Sequence, residues 1–288
     1  MAVVALVGVP GSPGVTTTAL ALLRTWPLAP GHKMLLAECC PDGGAVLPGA
    51  LQGRLPADRG LRNLSVSSRT KELVSAFWTQ LVALSDDTGK TAERNRLLLP
   101  GLTDFSEAAG LNTVWPHLAQ LFAGIEPHQH DVLVDLGRNG AFGPAGVIAM
   151  KADLVLLVVR GTIRSINAAQ HRVNRLKTML DSDQGRGSGA LGVIMIEEGP
   201  YGTNVSGRRD VEEALGVRVV ATLPYRPKEA AVLSDGVSED RNFARSKLMN
   251  AAREASGPIA RALGNRRARA ASPLSQRLAR AAEVGHAR

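Results

Sequence analysis

The sequence is poor in cysteine, in aromatic residues and in long apolar runs, and each shortage excludes something. Its 288 residues contain two cysteines, Cys39 and Cys40, side by side. An adjacent pair makes a poor structural disulfide and has no zinc-ligand spacing, so the expectation is a reducing, cytoplasmic setting. Aromatic residues make up 3% of the chain against 44% hydrophobic residues overall, so any core must be built from Leu, Val and Ala. That composition suits the short apolar runs of a parallel sheet buried on both faces. No apolar run reaches the roughly 18 residues needed to span a bilayer. The chain enters a Gly/Pro segment by residue 8 without a basic, then apolar, leader, so no signal peptide is expected. His117, His128, His130 and His171 show no metal-ligand spacing with acids or cysteines and read as surface residues. No Ser-His-Asp arrangement is suggested, and no catalytic residue is assigned.

Net charge is also small over most of the chain. Residues 241–288 carry ten Arg, one Lys and two acidic residues, a net +9 against +8 for the whole chain. The basic character therefore belongs to the C-terminal end, and the body is nearly neutral.

The most informative stretch runs from Val3 to Thr18. An apolar run, Val3–Val7, meets Gly8, a loop Val9-Pro10-Gly11-Ser12-Pro13-Gly14 follows, and Val15-Thr16-Thr17-Thr18 opens a helical pattern. Strand, glycine-rich loop and helix start together make a phosphate-binding architecture. The spacing GxxxxGK[ST] fits with Gly14 as the second glycine and Thr16 as the hydroxyl residue, but Val9 replaces the first glycine and Val15 the lysine. Gly11 and Gly14 permit close backbone approach, and Thr16 or Thr17 is placed to reach a magnesium ion. The missing ammonium removes a charged hydrogen bond of roughly 1.5–3 kcal/mol, about ten- to a hundredfold in affinity. Pro10 and Pro13 remove two backbone donors. From the loop alone, a phosphate cradle and a plain Gly/Pro turn both stand.

Strands are expected over 3–8, 33–38, 96–99, 132–135, 154–159, 191–196 and 217–221. Helices are expected over 15–25, 70–84, 114–122, 163–180, 205–215 and 243–263. Residues 41–63 read as a long loop. Strands alternating with helices imply βαβ units, hence an α/β fold: a doubly wound, mostly parallel sheet with helices on both faces. No linker divides the chain, so one domain over 1–264 and a basic tail over 265–288, partly disordered, are expected.

Two strand ends carry acids where such sheets place ligands. Glu38 and Asp42 flank Cys39-Cys40-Pro41, as a magnesium- or water-orienting pair or as turn-capping acids. Asp135 closes Val132–Val134, where phosphate-binding-loop proteins keep a magnesium-associated acid. The Arg-rich end offers a DNA or anionic-membrane contact, or a solvated tail.

In order, these segments resemble the MinD/ParA family, the deviant Walker A branch of P-loop ATPases. Gly11–Leu22 stands for its KGGxGKTT loop and helix, Met34–Gly43 for its VLLIDADPQG strand, and His130–Gly137 for its Walker B strand. Ala152–Val159 and Leu215–Tyr225 resemble the later "ADxVLLVV" and "LGxxVxGxxPYD" segments. The resemblance covers about residues 3–235. It implies ATP or ADP with magnesium at Gly11, Ser12, Gly14, Val15, Thr16 and Thr17, the metal at Thr16 and Asp135, and a homodimer or a protein partner. It also exposes departures. The signature lysine aligns with Pro10, the Walker lysine with Val15, the water-assisting aspartate with Cys40, and an adenine-contacting asparagine with Glu197-Glu198. A subgroup with "GAPGVTTTALAL…WP" openings is similar and suggests a TadZ/CpaE-like role. The reading is a degenerate member: a positioning or assembly scaffold with weak or absent hydrolysis. One alternative is a slow ATPase with a cation recruited from Lys33 or an arginine of 54–69. The other is a DNA- or membrane-surface-binding module.

Overall fold

A computed structural model describes residues 2–11, 14–54, 59–69, 73–84, 95–125, 129–198 and 207–270. Among these residues, eight strands form a single sheet. They are β1 (Val3–Gly8), β2 (Lys33–Glu38), β3 (Val82–Ala83), β4 (Arg96–Leu99), β5 (His130–Asp135), β6 (Leu154–Arg160), β7 (Leu191–Glu197) and β8 (Val219–Pro224). Their order is β3-β4-β2-β5-β1-β6-β7-β8. All pairings are parallel except that of the two-residue edge strand β3 with β4.

Helices among the described residues are α1 (Val15–Thr25), α2 (Leu61–Arg69), α3 (Leu73–Thr79), α4 (Trp115–Ala123), α5 (Gly146–Lys151), α6 (Ile163–Leu180), α7 (Arg208–Leu215), α8 (Pro227–Ser234) and α9 (Lys247–Ala270). Successive strand side chains alternate between faces, and two cores result. Val3, Ala5, Val7, Val132 and Val155 face a layer that includes Phe77, Trp115, Phe122 and Val173. Val4, Leu6, Leu36, Leu133 and Leu156 face Leu22 and Leu23 of α1 and Met249 and Ile259 of α9. The doubly wound expectation holds.

Several expected elements differ. Val46–Ala50 forms a helical turn and Leu61 opens α2, so residues 41–63 are not one loop. The helix expected over 70–84 is confined to Leu73–Thr79, with β3 following; residues 70–72 lie outside the described residues. Val74, which a 3.6-residue period groups with Leu73 and Phe77 on one helix face, is 64% exposed. A seven-residue helix is too short for a 3.6-residue pattern to identify its inner face. The last strand runs Val219–Pro224 instead of 217–221, because Gly216 in the left-handed region still belongs to the helix end. The last helix starts at Lys247, after a separate turn at Phe243–Arg245, and continues through Ala270, across the 264/265 boundary. Residues 271–288 lie outside the described residues. His130 is not on the surface: it opens β5, is buried, and packs its ring 5.2 Å from that of Trp78. His128 lies outside the described residues.

In the parallel array, β1 lies between β5 and β6. The carboxyl ends of these three strands therefore open onto one crevice, beside the amino end of α1.

Candidate functional site

The loop after β1 approaches that crevice through unusual backbone. Gly11 and Gly14 have φ of +75° and +124°, a region that L side chains avoid. Gly14 ends at the first turn of α1, and a Cβ there would lie 2.9 Å from Ile196 Cδ1. Ser12, singled out for nucleotide binding, lies outside the described residues, as does Pro13.

Val15, at the lysine position, is buried. Its Cγ2 fills the space beside Gly8, where a Cβ would lie only 2.7 Å away. The side chain is thus part of the core beneath the loop and not a contact for a ligand above it. Thr16 turns the other way. Its hydroxyl donates to Asp135 Oδ2 at 2.6 Å, and Asp135 Oδ1 accepts from the Gly137 amide at 2.8 Å. Asp135 is almost fully buried, and burial raises its pKa while these two bonds oppose the rise. Asp135 and Thr16, the two residues assigned to a metal, are therefore in direct contact. Thr17 instead faces a cavity of about 250 Å³ shared with Gly14 and Thr18 on one side. Ile196, Leu223, Pro224, Tyr225, Ala230 and Ala231 supply its apolar wall. Thr16 thus faces the acid and Thr17 the cavity.

Glu38 does not orient a ligand. Its Oε1 accepts from the amides of Ala45 at 2.7 Å and Val46 at 3.0 Å, and Oε2 from Gly101 at 3.2 Å. It pins the segment after β2 to the end of β4. Burial raises its pKa to about 7, reinforced by Asp135 across the β2–β5 pair and opposed by the three amide bonds. Asp42 is turned to Asn139, whose side-chain amide donates to it at 3.2 Å. Cys40 packs its sulfur against Gly137, and burial lifts its pKa to about 11; Cys39 is buried and lifted further. Neither is an activated thiol. Glu197 and Glu198 are likewise used locally. The Glu197 carbonyl accepts from the Tyr225 amide at 2.7 Å, and Glu198 pairs with Arg160, whose guanidinium lies 4.5 Å from the Tyr225 ring centre.

The positive charge at the loop comes from arginines that the sequence reading did not select. The Arg164 guanidinium lies over Gly11, with Nε 3.5 Å from where a Cβ would be. Arg172 donates to the Gly8 carbonyl at 3.2 Å, to the Arg138 carbonyl and to Asn139 Oδ1. The expected replacements whose side chains are described are elsewhere, and the Arg69 side chain lies outside the described residues. Lys33 opens β2 at the opposite edge of the sheet, Arg54 binds Gln52, and Arg62 pairs with Glu107. Arg164 and Arg172 lie on one helix, α6, whose amino end follows β6 beside β1. No sequence signal marked them, since neither belongs to a motif and only the sheet order creates that adjacency.

No family model matches the chain, and no curated protein sequence does. Solved structures do match. A ParA family ATPase from Chlorobium tepidum aligns with a TM-score of 0.63 at 13% identity, covering 88% of this chain and 98% of that one. The fold is that of the MinD/ParA ATPases. The septum site-determining protein MinD from Pyrococcus horikoshii, complexed with Mg-ADP, aligns with a TM-score of 0.60 at 15% identity, covering 92% of this chain and 98% of that one. A McdA variant–ATP complex from Cyanothece aligns with a TM-score of 0.60 at 17% identity, covering 92% and 96%. At these identities the likeness concerns the MinD/ParA scaffold.

Two tests follow from this geometry. Gly8→Ala forces a methyl into Val15 and should destabilise the fold by about 1–3 kcal/mol. Adding Val15→Ala should recover part of that loss in urea unfolding, whereas two independent costs would simply add. For Glu38, the folded pKa of about 7 lies above the ordinary 4.5, so folding takes up a proton between those values. In the nucleotide-free, magnesium-free protein the Glu38 contribution to stability should therefore be fully present below pH 4.5 and be lost as pH rises to about 7, by about 3 kcal/mol. Asp135 acts in the same direction. Glu38→Gln should flatten the slope of unfolding free energy against pH, and an unchanged slope would show that burial of this carboxyl is not its source.

Proposed function

We propose that the protein binds a magnesium-complexed adenine nucleotide at the β1–α1 loop and uses it as a structural ligand. It then acts as a cytoplasmic scaffold that self-associates or holds a protein partner in a positioning or assembly system, of chromosome-partitioning or Tad pilus type. Hydrolysis is weak or absent. The observation that carries this reading is the 2.6 Å contact of Thr16 with Asp135, retained beside a loop whose lysine position is occupied by a core valine.

Gly11, Gly14, Thr16 and Thr17 fit a phosphate chain, since two positive-φ glycines expose backbone donors at the start of α1. Magnesium would be held by the Thr16 oxygen and by Asp135, and would neutralise phosphate oxygens. The apolar cavity beside Thr17 suits a nucleobase, with Tyr225 and Pro224 as flat walls. Arg164 supplies the cation that the loop lacks. Hydrolysis needs more than binding. Cys40, where the resembling family has its water-assisting aspartate, has its sulfur against Gly137 and its pKa raised to about 11, so it serves poorly as a base near neutral pH. Similarity of fold to the MinD complexed with Mg-ADP and to the McdA–ATP complex supports the choice of ligand. A second reading, a slow ATPase, draws on the same Arg164, since a recruited guanidinium can stabilise developing phosphate charge.

Calorimetry with Mg-ADP and Mg-ATP, run beside a phosphate-release assay, separates these readings. The expected result is binding without turnover above background, weakened about tenfold or more by Arg164→Ala and made insensitive to magnesium by Thr16→Ala. Turnover abolished by Asp135→Ala and reduced by Arg164→Ala would establish the ATPase reading instead. Absence of nucleotide binding at millimolar ligand would remove both.

A further inference from the structure

A second concave site lies at the opposite edge of the sheet. Leu154 and Leu191, the first residues of β6 and β7, together with Val220 and Ala262, line a cavity of about 440 Å³. Arg186, Gly189, Arg218, Asn265 and Arg266 complete its lining. The volume falls within the range of ordinary small-molecule sites.

The arginines are partly fixed. Arg266, on the last described turns of α9, donates to the carbonyl oxygens of Asp153 and Arg186. Arg186 donates Nε to the Lys151 carbonyl at 3.0 Å and pairs with Asp153 at 3.4 Å. Asp153 also accepts from the Val3 amide at 3.1 Å. Arg218 precedes β8 and is exposed, its backbone held by the bond from Val193 N to the Arg218 carbonyl at 2.9 Å. Three guanidiniums thus line an apolar floor, while the Asp153 carboxylate, outside that lining, pairs with Arg186, leaving an excess of two positive charges. Burial lowers the Arg266 pKa, and the charge of Arg186 lowers it further. An anion in the cavity would offset both effects, and guanidinium groups match phosphate and carboxylate oxygens in geometry.

We propose that this cavity at the amino-terminal edge of β6–β8 binds an organic anion, an apolar body bearing a phosphate or carboxylate head, held by Arg186, Arg218 and Arg266. The apolar floor receives the body and the guanidinium groups receive the head. The site is separated from the β1–α1 loop by the length of the strands, and it does not depend on nucleotide binding there.

The test uses 1-naphthyl phosphate as the probe, with binding measured by calorimetry on the full chain. Wild type should bind, with affinity falling as salt is added. Arg218→Glu should weaken binding by tenfold or more while leaving the thermal melting unchanged, because the Arg218 side chain is exposed. Arg164→Ala, at the other edge, should leave binding of the probe unaltered. Vesicles containing phosphatidylglycerol form a second arm. Their capture by wild type and not by Arg218→Glu assigns the phosphate head to a lipid, whereas probe binding without capture assigns it to a free small molecule. No binding of either, binding unaltered in Arg218→Glu, or probe binding lost in Arg164→Ala would overturn the proposal.

Discussion

The inward direction of Val15 is the constraint on which the rest of the candidate site depends. Its methyl occupies the space that Gly8 leaves open, so the side chain that follows the second loop glycine belongs to the core under α1. As a valine committed to that contact, it carries no charge to a ligand above the loop. The consequence is electrostatic. Positive charge at the loop must come from outside it, and the structure brings it from α6, with Arg164 over Gly11 and Arg172 on the Gly8 carbonyl. A flexible lysine on the loop is thereby replaced by planar groups anchored on a neighbouring helix, which differ from an ammonium in reach and in hydrogen-bond geometry.

The acids of the crevice show the same balance from the other side. Glu38 and Asp135 face one another across the β2–β5 pair, both buried, and burial is the largest influence raising each pKa. Among the described residues, neither carboxylate is paired with a cationic side chain. Glu38 relies on three amides and Asp135 on one amide and the Thr16 hydroxyl. The two acids consequently have different uses. Glu38 has its oxygens committed to folding the segments after β2 and β4, while Asp135 and Thr16 present a polar pair at the loop, where a divalent cation would supply the missing positive charge.

How much of this was legible in the sequence depended on the range of the interactions involved. Val3–Gly8, Lys33–Glu38 and Ile163–Leu180 carry uninterrupted patterns bounded by glycine, proline or polar turns, and their limits agree with the structure. Short elements failed: Leu73–Thr79 and the strand Val82–Ala83 are stabilised by packing on α2 and pairing with β4, contacts that a local window does not contain. His130 read as a surface residue because its burial depends on Trp78, more than 50 positions away in the chain. At the site, the proximity of Thr16 to Asp135 was readable from ordered motifs. The role of Glu38 was not, since its three amide partners are set by the folding of two loops. Arg164 escaped notice because only the sheet order places the amino end of α6 beside the β1–α1 loop.

The sheet order also explains why a nearly neutral body can offer two basic edges. In a parallel array every strand begins at one edge and ends at the other, so residues after β6 and residues before β6 lie on opposite sides of the domain. Arg164 follows β6 and faces the loop, whereas Arg186 precedes β7, Arg218 precedes β8, and both line the opposite cavity. α9 spans the distance between these edges: Leu248 contributes to the cavity beside Thr17, and Asn265 and Arg266 to the cavity beneath β6–β8. Its 24 residues make it about 36 Å long, comparable with the diameter of a small domain. From Leu248 to Leu263 the helix packs on the face of the sheet that also carries α1. A shift of α9 along its axis would therefore alter both cavities together, whereas a change in the two-stranded edge at β3–β4 would reach neither, because β2, β5 and β1 stand between.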